Sequence, residues 1–222
     1  MKKLIQQALA IVCITASINA SAQSIIENIG GYSTITPGKA FIQNNTNLTY
    51  QVEAGEENYE MTIDVNKYSA EGIQFDWAIS HKKTKGKVTI AKEALSNATS
   101  LDNYFGAKDK SLTDKTTVFL SAATWKAVKA GENVKLSCGG SVGNVEFKCG
   151  QAGKGAYESQ LAIWPILIRG DYVDLSKFYI LEGVENSDYI IYLFDCGTDN
   201  PVIILMRLGF SISLSHASGD HL

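Results

Sequence analysis

The chain has few of the side chains that usually carry catalysis. It holds three histidines, His81, His216 and His221, among 222 residues. A serine or cysteine nucleophile needs an imidazole or another base fixed within hydrogen-bond reach. His81 lies in the lysine-rich segment SHKKTKGK, and the other two lie near the C-terminus, where chains are often poorly ordered. No HExxH motif occurs either. The sequence therefore predicts no catalytic residues and favours a protein that is not an enzyme.

Cysteine is scarce as well, with four residues in the chain. Cys138 and Cys149 flank the glycine-rich stretch GGSVGN, which reads as a turn between two strands. In an oxidising compartment the two are predicted disulfide partners. Zinc binding is the alternative, but no CxxC pair and no nearby histidine supports it. Cys196, in FDCGTDNP, is left over as a buried inert thiol or as a nucleophile.

The chain also lacks a large excess of either positive or negative charge, because its formal net charge is −3. A mildly acidic chain lacks the basic footprint of a nucleic-acid-binding protein, so we expect no such partner. The 23 acidic residues follow no EF-hand spacing, and no group of ligand-type residues has metal-site spacing. The sequence therefore predicts neither a metal nor a cofactor.

The N-terminus carries the most specific pattern. Lys2 and Lys3 precede an apolar stretch from residue 8 to residue 18, which ends in Asn19-Ala20-Ser21-Ala22. These features predict a signal peptide over residues 1–22, cleaved after Ala22, and a periplasmic or secreted mature chain. The apolar stretch is shorter than the roughly 20 residues of a spanning helix, so we expect no transmembrane segment in the mature chain. A lipoprotein or an uncleaved anchor is the alternative.

Period-2 alternation is the dominant signal in the rest of the chain. Ile73, Phe75, Trp77 and Ile79 alternate with smaller or polar residues, which predicts a half-buried strand. A hairpin is predicted with its turn at residues 54–57. Denser apolar runs indicate strands covered on both faces, and they are Leu161–Ile168, Phe178–Leu181, Tyr189–Phe194 and Val202–Met206.

Two segments have helical patterns. Ser121 is a plausible N-cap for SAATWKAVKAG, with Gly131 as the stop, and Ala91–Ala98 is a shorter candidate. Together these elements predict a mainly β fold of the β-rich α+β type. We expect one domain over residues 23–222, built as a curved antiparallel sheet or open barrel with one or two short helices.

Four segments carry a resemblance to known proteins. They are PGKAFIQNNTNLTYQVEAGEENYEMTIDV, EGIQFDWAIS, TTVFLSAATWKAVKAG and FDCGTDNPVIILMRLGFSISL. In the order of these pieces the chain resembles uncharacterised exported β-rich proteins of the Bacteroidota. The resemblance implies an exported half-barrel, distantly similar to lipoprotein-carrier folds, and it brings no catalytic residues.

The expected function is that of an exported, non-enzymatic envelope protein. On a concave sheet, Phe75, Trp77, Tyr192 and Phe194 would line a pocket for a lipid or another apolar small molecule. The same residues would otherwise fill an ordinary core. The alternatives are a secreted hydrolase that works through a pair of carboxylates, and a structural or adhesive envelope component that binds through edge strands.

Overall fold

A computed structural model describes residues 42–106, 108–151 and 178–219. All of them belong to one compact unit, Ser33–Leu222. The predicted signal peptide and the apolar run Leu161–Ile168 lie outside the described residues.

The described residues form eleven strands and two helices. The strands are β1 (Thr46–Ala54), β2 (Glu57–Ser69), β3 (Gly72–Ile79), β4 (Thr84–Ala91), β5 (Lys110–Leu112), β6 (Val134–Ser137), β7 (Asn144–Gln151), β8 (Phe178–Gly183), β9 (Ile190–Phe194), β10 (Val202–Arg207) and β11 (Ser211–Ser218). The helices are α1 (Lys92–Asn97), between β4 and β5, and α2 (Ala122–Ala130), between β5 and β6.

All eleven strands belong to one curved sheet that does not close into a barrel. The spatial order is β5-β4-β3-β2-β1-β11-β10-β9-β8-β7-β6, so the first and last strands pair in the middle. Every neighbouring pair is antiparallel except β4 and β5. The predicted mainly β fold, a curved sheet with two short helices, is confirmed.

Local sequence explains the first hairpin and the strand that follows it. Gly55 has a φ of +63° in the two-residue turn between Ala54 and Glu57, a backbone conformation that glycine adopts without a steric penalty. In β3 the alternating apolar side chains are all buried, and Trp77 is only 2% exposed. The hairpin and the alternation of β3 are therefore confirmed.

The longer helix, α2, begins and ends where its capping residues predict. The Ser121 hydroxyl accepts a hydrogen bond from the backbone N–H of Thr124, and Gly131 ends the helix with a φ of 74°. Both devices satisfy backbone groups that the helix cannot pair internally. The shorter predicted helix is also present, as α1.

The sheet has an inner face on which the helical part of the chain packs. On that face the Phe119 ring lies 6.4 Å from the Phe75 ring of β3, and the Trp125 indole of α2 lies 4.8 Å from the Tyr179 ring of β8. The Asn200 amide donates hydrogen bonds to the carbonyls of Leu95 and Leu120. Through these contacts, the part of the chain between β4 and β6 packs against the concave face of the curved sheet and fills one end of it.

The predicted disulfide between Cys138 and Cys149 is wrong, because both thiols are free. Ser137 of β6 pairs with Asn144 of β7, so Cys138 lies at the hairpin turn, where its N–H bonds the Gly143 carbonyl. Cys149 lies further along β7 and pairs with β8. Along β7, Cys149 is six residues away from the position opposite Cys138, and six residues of strand span about 20 Å. A disulfide requires Cα atoms within about 7 Å of each other.

Candidate functional site

A cavity of about 530 Å³ lies between the inner face of the sheet and the connection from α1 to β5. Its apolar wall comes from strands β1, β2, β3, β10 and β11 and from two loops. These residues are Val52, Ala54, Met61, Ile79, Phe105, Met206, Phe210 and Ile212. We call this space the apolar cavity. Alternation along the strands places its side chains on one face, because the cross-strand pairs Val52–Tyr59, Val52–Ile212 and Met206–Ile212 are continuous across the sheet.

Two charged side chains line the apolar cavity, Glu57 and Lys82. They form an ion pair, in which the Lys82 side chain is 35% exposed and the Glu57 side chain 56% exposed. The Lys82 ammonium also lies 5.4 Å from the centre of the Tyr59 ring, within cation–π range. The hydrogen bond and the positive charge of Lys82 lower the pKa of the Glu57 carboxyl. The lowered pKa favours the ionised form of the Glu57 carboxyl, which is the form that pairs with Lys82.

The outer wall of the cavity is a loop that rests on a buried tryptophan. The Phe105 ring packs edge-on against the Trp77 indole, with ring centres 5.4 Å apart. Trp77 in turn lies over Gly86, its partner on β4, where any Cβ would be 2.9 Å from the indole nitrogen. Lys110 holds the same loop through a 2.8 Å ion pair with Asp102 and a hydrogen bond to the Tyr104 carbonyl. The loop is thus tied to β3 and to β5.

A second cavity, of about 410 Å³, adjoins the first. Asn103, Tyr104 and Phe210 line both spaces, so they form the partition between them. The Asn103 amide nitrogen donates to the Cys138 carbonyl at 3.1 Å. Its side-chain oxygen is buried and accepts no hydrogen bond. A hydrogen-bond donor on a bound molecule would therefore find an unused acceptor at this partition.

The four predicted ligand-binding aromatics do not lie together. Phe75 and Trp77 point to the inner face, as part of the buried core. Ile191 pairs with the cavity residue Met206, so Ile191 also faces inward. Tyr192 and Phe194 of β9 are one and three residues further along, and alternation places them on the opposite face. None of the four lines the apolar cavity or the second cavity.

The groups suited to catalysis are separated. The Cys196 thiol contacts the Thr198 hydroxyl and the Asn200 carbonyl, whereas the His81 ring lies against Tyr59. Burial raises the pKa of the Cys196 thiol above its ordinary value, and this favours the protonated, unreactive form. Ser141 lies in a GGSVG segment with the spacing of a nucleophile elbow, but that segment joins two strands rather than a strand and a helix.

Carboxylates and metal-ligand residues show a similar separation. In the part of the chain that the structure describes, the apolar cavity has one carboxylate, Glu57, and the second cavity has one, Asp102, and each is paired with a lysine. Among the described residues no three His, Cys, Asp or Glu side chains are grouped closely enough to hold a metal ion. Within the same residues, no helix has the length and apolar character needed to cross a membrane.

Comparison with known proteins adds no relative. No family model matches the chain, and neither a curated protein nor a solved structure is significantly similar to it. The geometry of the two cavities and of their walls is therefore the basis for assigning a function.

The cavity wall could not be recognised from the sequence alone. Val52, Met61 and Ile79 carry the same alternation as residues that pack solidly in the core. Phe105 and Phe210 lie in loops, where hydrophobic periodicity provides no information. The one available signal was the opposite charge of two predicted turns, the basic turn that contains Lys82 and the acidic tip of the first hairpin. That signal points to a particular ion pair only when the strand order brings the two turns together.

Proposed function

We propose that this protein is an exported, non-enzymatic binding protein that holds an apolar small molecule, such as a lipid, in the apolar cavity. The observation that carries the proposal is a wall of eight apolar side chains around about 530 Å³. Small-molecule sites commonly measure 300–1,000 Å³ and are lined mainly by hydrophobic side chains with a few placed polar groups. The composition of this wall follows that pattern.

The position of the cavity in the fold also supports binding. Trp77, Phe75 and Tyr50 are buried on the inner face of the sheet, on the same strands as the cavity-wall residues Val52 and Ile79. The Tyr50 hydroxyl donates a 2.8 Å hydrogen bond to the Ile203 carbonyl, which ties β1 to β10. A preformed wall lowers the ordering cost of binding, so more of the burial energy of an apolar ligand appears as affinity.

The charged side chains of the two cavities support binding rather than hydrolysis. A glycosidase-type mechanism needs two carboxyl groups about 5–9.5 Å apart on either side of the scissile bond. Each cavity instead offers one carboxylate that is neutralised by lysine. One residue of the β6 edge also opposes adhesion through edge strands, since Ser137 exchanges hydrogen bonds with Thr99 and Leu101 and is not free to pair with another chain.

Titration with N-phenyl-1-naphthylamine, an uncharged dye that fluoresces in apolar surroundings, tests the proposal. Ala54→Trp would fill the cavity from β1, whereas Gln51→Trp adds the same side chain on the outward face of that strand. We expect saturable binding by the wild type and by Gln51→Trp, and a loss of at least tenfold in affinity for Ala54→Trp. Circular dichroism controls for folding. Equal binding by both variants would contradict the proposal.

Export is tested separately by N-terminal sequencing of protein recovered from the native host. The proposal expects a mature chain that begins at Gln23, after a cleavable signal peptide. An intact N-terminus on protein from the cytoplasmic fraction would contradict export without bearing on the cavity.

A further inference from the structure

We infer that the ligand is an anionic amphiphile, whose tail lies in the apolar cavity and whose head group replaces the Glu57 carboxylate on the Lys82 ammonium. This inference rests on the proposed function and names the class of ligand for the same site. Glu57 and Lys82 are the only charged side chains among the described residues that line the cavity. The site therefore selects an anionic ligand if Glu57 leaves the ion pair on binding, and a cationic ligand if Lys82 leaves it.

Lys82 has the more fixed position of the two. Its ammonium has two contacts, the Glu57 carboxylate and the face of the Tyr59 ring at 5.4 Å. The second contact does not depend on Glu57. Since Tyr59 itself lines the cavity and is half-buried, the ring holds the positive charge at the boundary between the apolar wall and solvent. An anionic head group is stable at such a boundary while its tail is buried.

Glu57 is the group that can leave. It directly follows the Gly55-Glu56 turn at the tip of the first hairpin, and its side chain is 56% exposed. When its carboxylate turns outward, water rehydrates the charge and no buried ion is left unpaired. A cationic head group would have the opposite effect, because it would displace the less exposed Lys82 ammonium from its carboxylate.

The neighbouring charges agree with this assignment. Lys83 is exposed in the β3–β4 turn that carries Lys82, whereas Lys85 pairs with Ala78 and so lies on the outward face of β4. On the acidic hairpin, Glu53 and Glu60 lie on the outward face, as their alternation with the buried Val52 and Met61 shows. Lys83 thus adds positive charge beside Lys82, while the carboxylates of Glu53 and Glu60 point away from the cavity, and this arrangement favours the approach of an anion.

Displacement of N-phenyl-1-naphthylamine by three amphiphiles with the same alkyl chain tests this inference. Dodecanoate carries a negative head group, dodecanol none, and dodecyltrimethylammonium a positive one. Lys82→Met keeps the length and apolar stem of the side chain and removes the charge. Glu57→Gln removes the internal competitor, and Lys85→Met is the matched control, since Lys85 is exposed and is not part of the cavity wall.

For Lys82→Met we expect dodecanoate affinity to fall about two- to fivefold, the range for a partly exposed charge pair, while dodecanol affinity changes less than about twofold. Glu57→Gln should bind dodecanoate more tightly than the wild type, and Lys85→Met should match the wild type. Equal dodecanoate affinity in the wild type and Lys82→Met, or preferential binding of dodecyltrimethylammonium, would overturn the inference. Failure of the dye and of dodecanol to bind at all would instead refute the proposed function.

Discussion

Replacing Gly86 with alanine tests how tightly the wall behind the apolar cavity is packed. A Cβ at this position would lie 2.9 Å from the Trp77 indole nitrogen and 3.1 Å from two of its carbons. The Trp77 side chain is 2% exposed and packs edge-on against Phe105, so it has little room to move away. Such overpacking costs about 1–3 kcal/mol. The alanine regains about 0.5–1 kcal/mol, because glycine is unfavourable inside a strand. The net expectation is a loss of about 0.5–2 kcal/mol.

Urea unfolding of four proteins measures this effect: the wild type, Gly86→Ala, Trp77→Phe and the double variant. Because phenylalanine is smaller than the indole, Gly86→Ala should cost little or nothing in the Trp77→Phe background, with a coupling energy of about 1 kcal/mol or more. The displaced indole should also press on Phe105 and weaken dye binding. A Gly86→Ala variant as stable as the wild type, with unchanged dye affinity, would refute the packing argument.

Three further predictions concern buried polar groups. Tyr50→Phe removes the hydrogen bond to the Ile203 carbonyl and should lower the free energy of unfolding by about 1–2 kcal/mol in urea titrations, whereas no change would show that the bond is absent. Cys138 and Cys149 should both be alkylated as free thiols in non-reducing peptide mapping, and a bridged peptide would contradict the register of β6 and β7. Burial raises the pKa of both thiols to about 11. Their contribution to the free energy of unfolding should therefore be fully present below about pH 8.5, the ordinary pKa of a thiol, and should be lost as the pH rises from there towards 11.

The local features of the fold were predictable because their causes lie within a few residues. Ser121 and Gly131 define α2 through hydrogen bonds to the adjacent turn of the helix. The first hairpin follows from Gly55 in a two-residue turn. The alternation around Phe75 follows from burial of one face of a strand.

The non-local features were not predictable from the same patterns. Tyr192 and Phe194 looked equivalent to Phe75 and Trp77, but which face of β9 points inward depends on its register with β8 and β10. The Cys138–Cys149 prediction failed for a related reason, since symmetric flanks around a glycine-rich turn do not specify strand register. A shift of one residue reverses the face of every side chain.

The cavity itself arises from pairing between β1 and β11, which are more than 150 residues apart in the chain. That pairing joins Val52 to Ile212 and gives a continuous apolar wall. No pattern within either strand specifies that a cavity, rather than further side chains, covers the wall. The candidate site was therefore accessible only from the three-dimensional structure.

Native mass spectrometry of the protein purified from its own host tests the central claim most directly. The account predicts that the wild type and Gln51→Trp carry a co-purified small molecule, which is released on unfolding and has an alkyl chain and an acidic head group. Ala54→Trp, with its cavity filled, should lack that molecule. A wild-type protein that carries no adduct and binds no added dodecanol or dye, or an adduct retained equally by Ala54→Trp, would contradict the account.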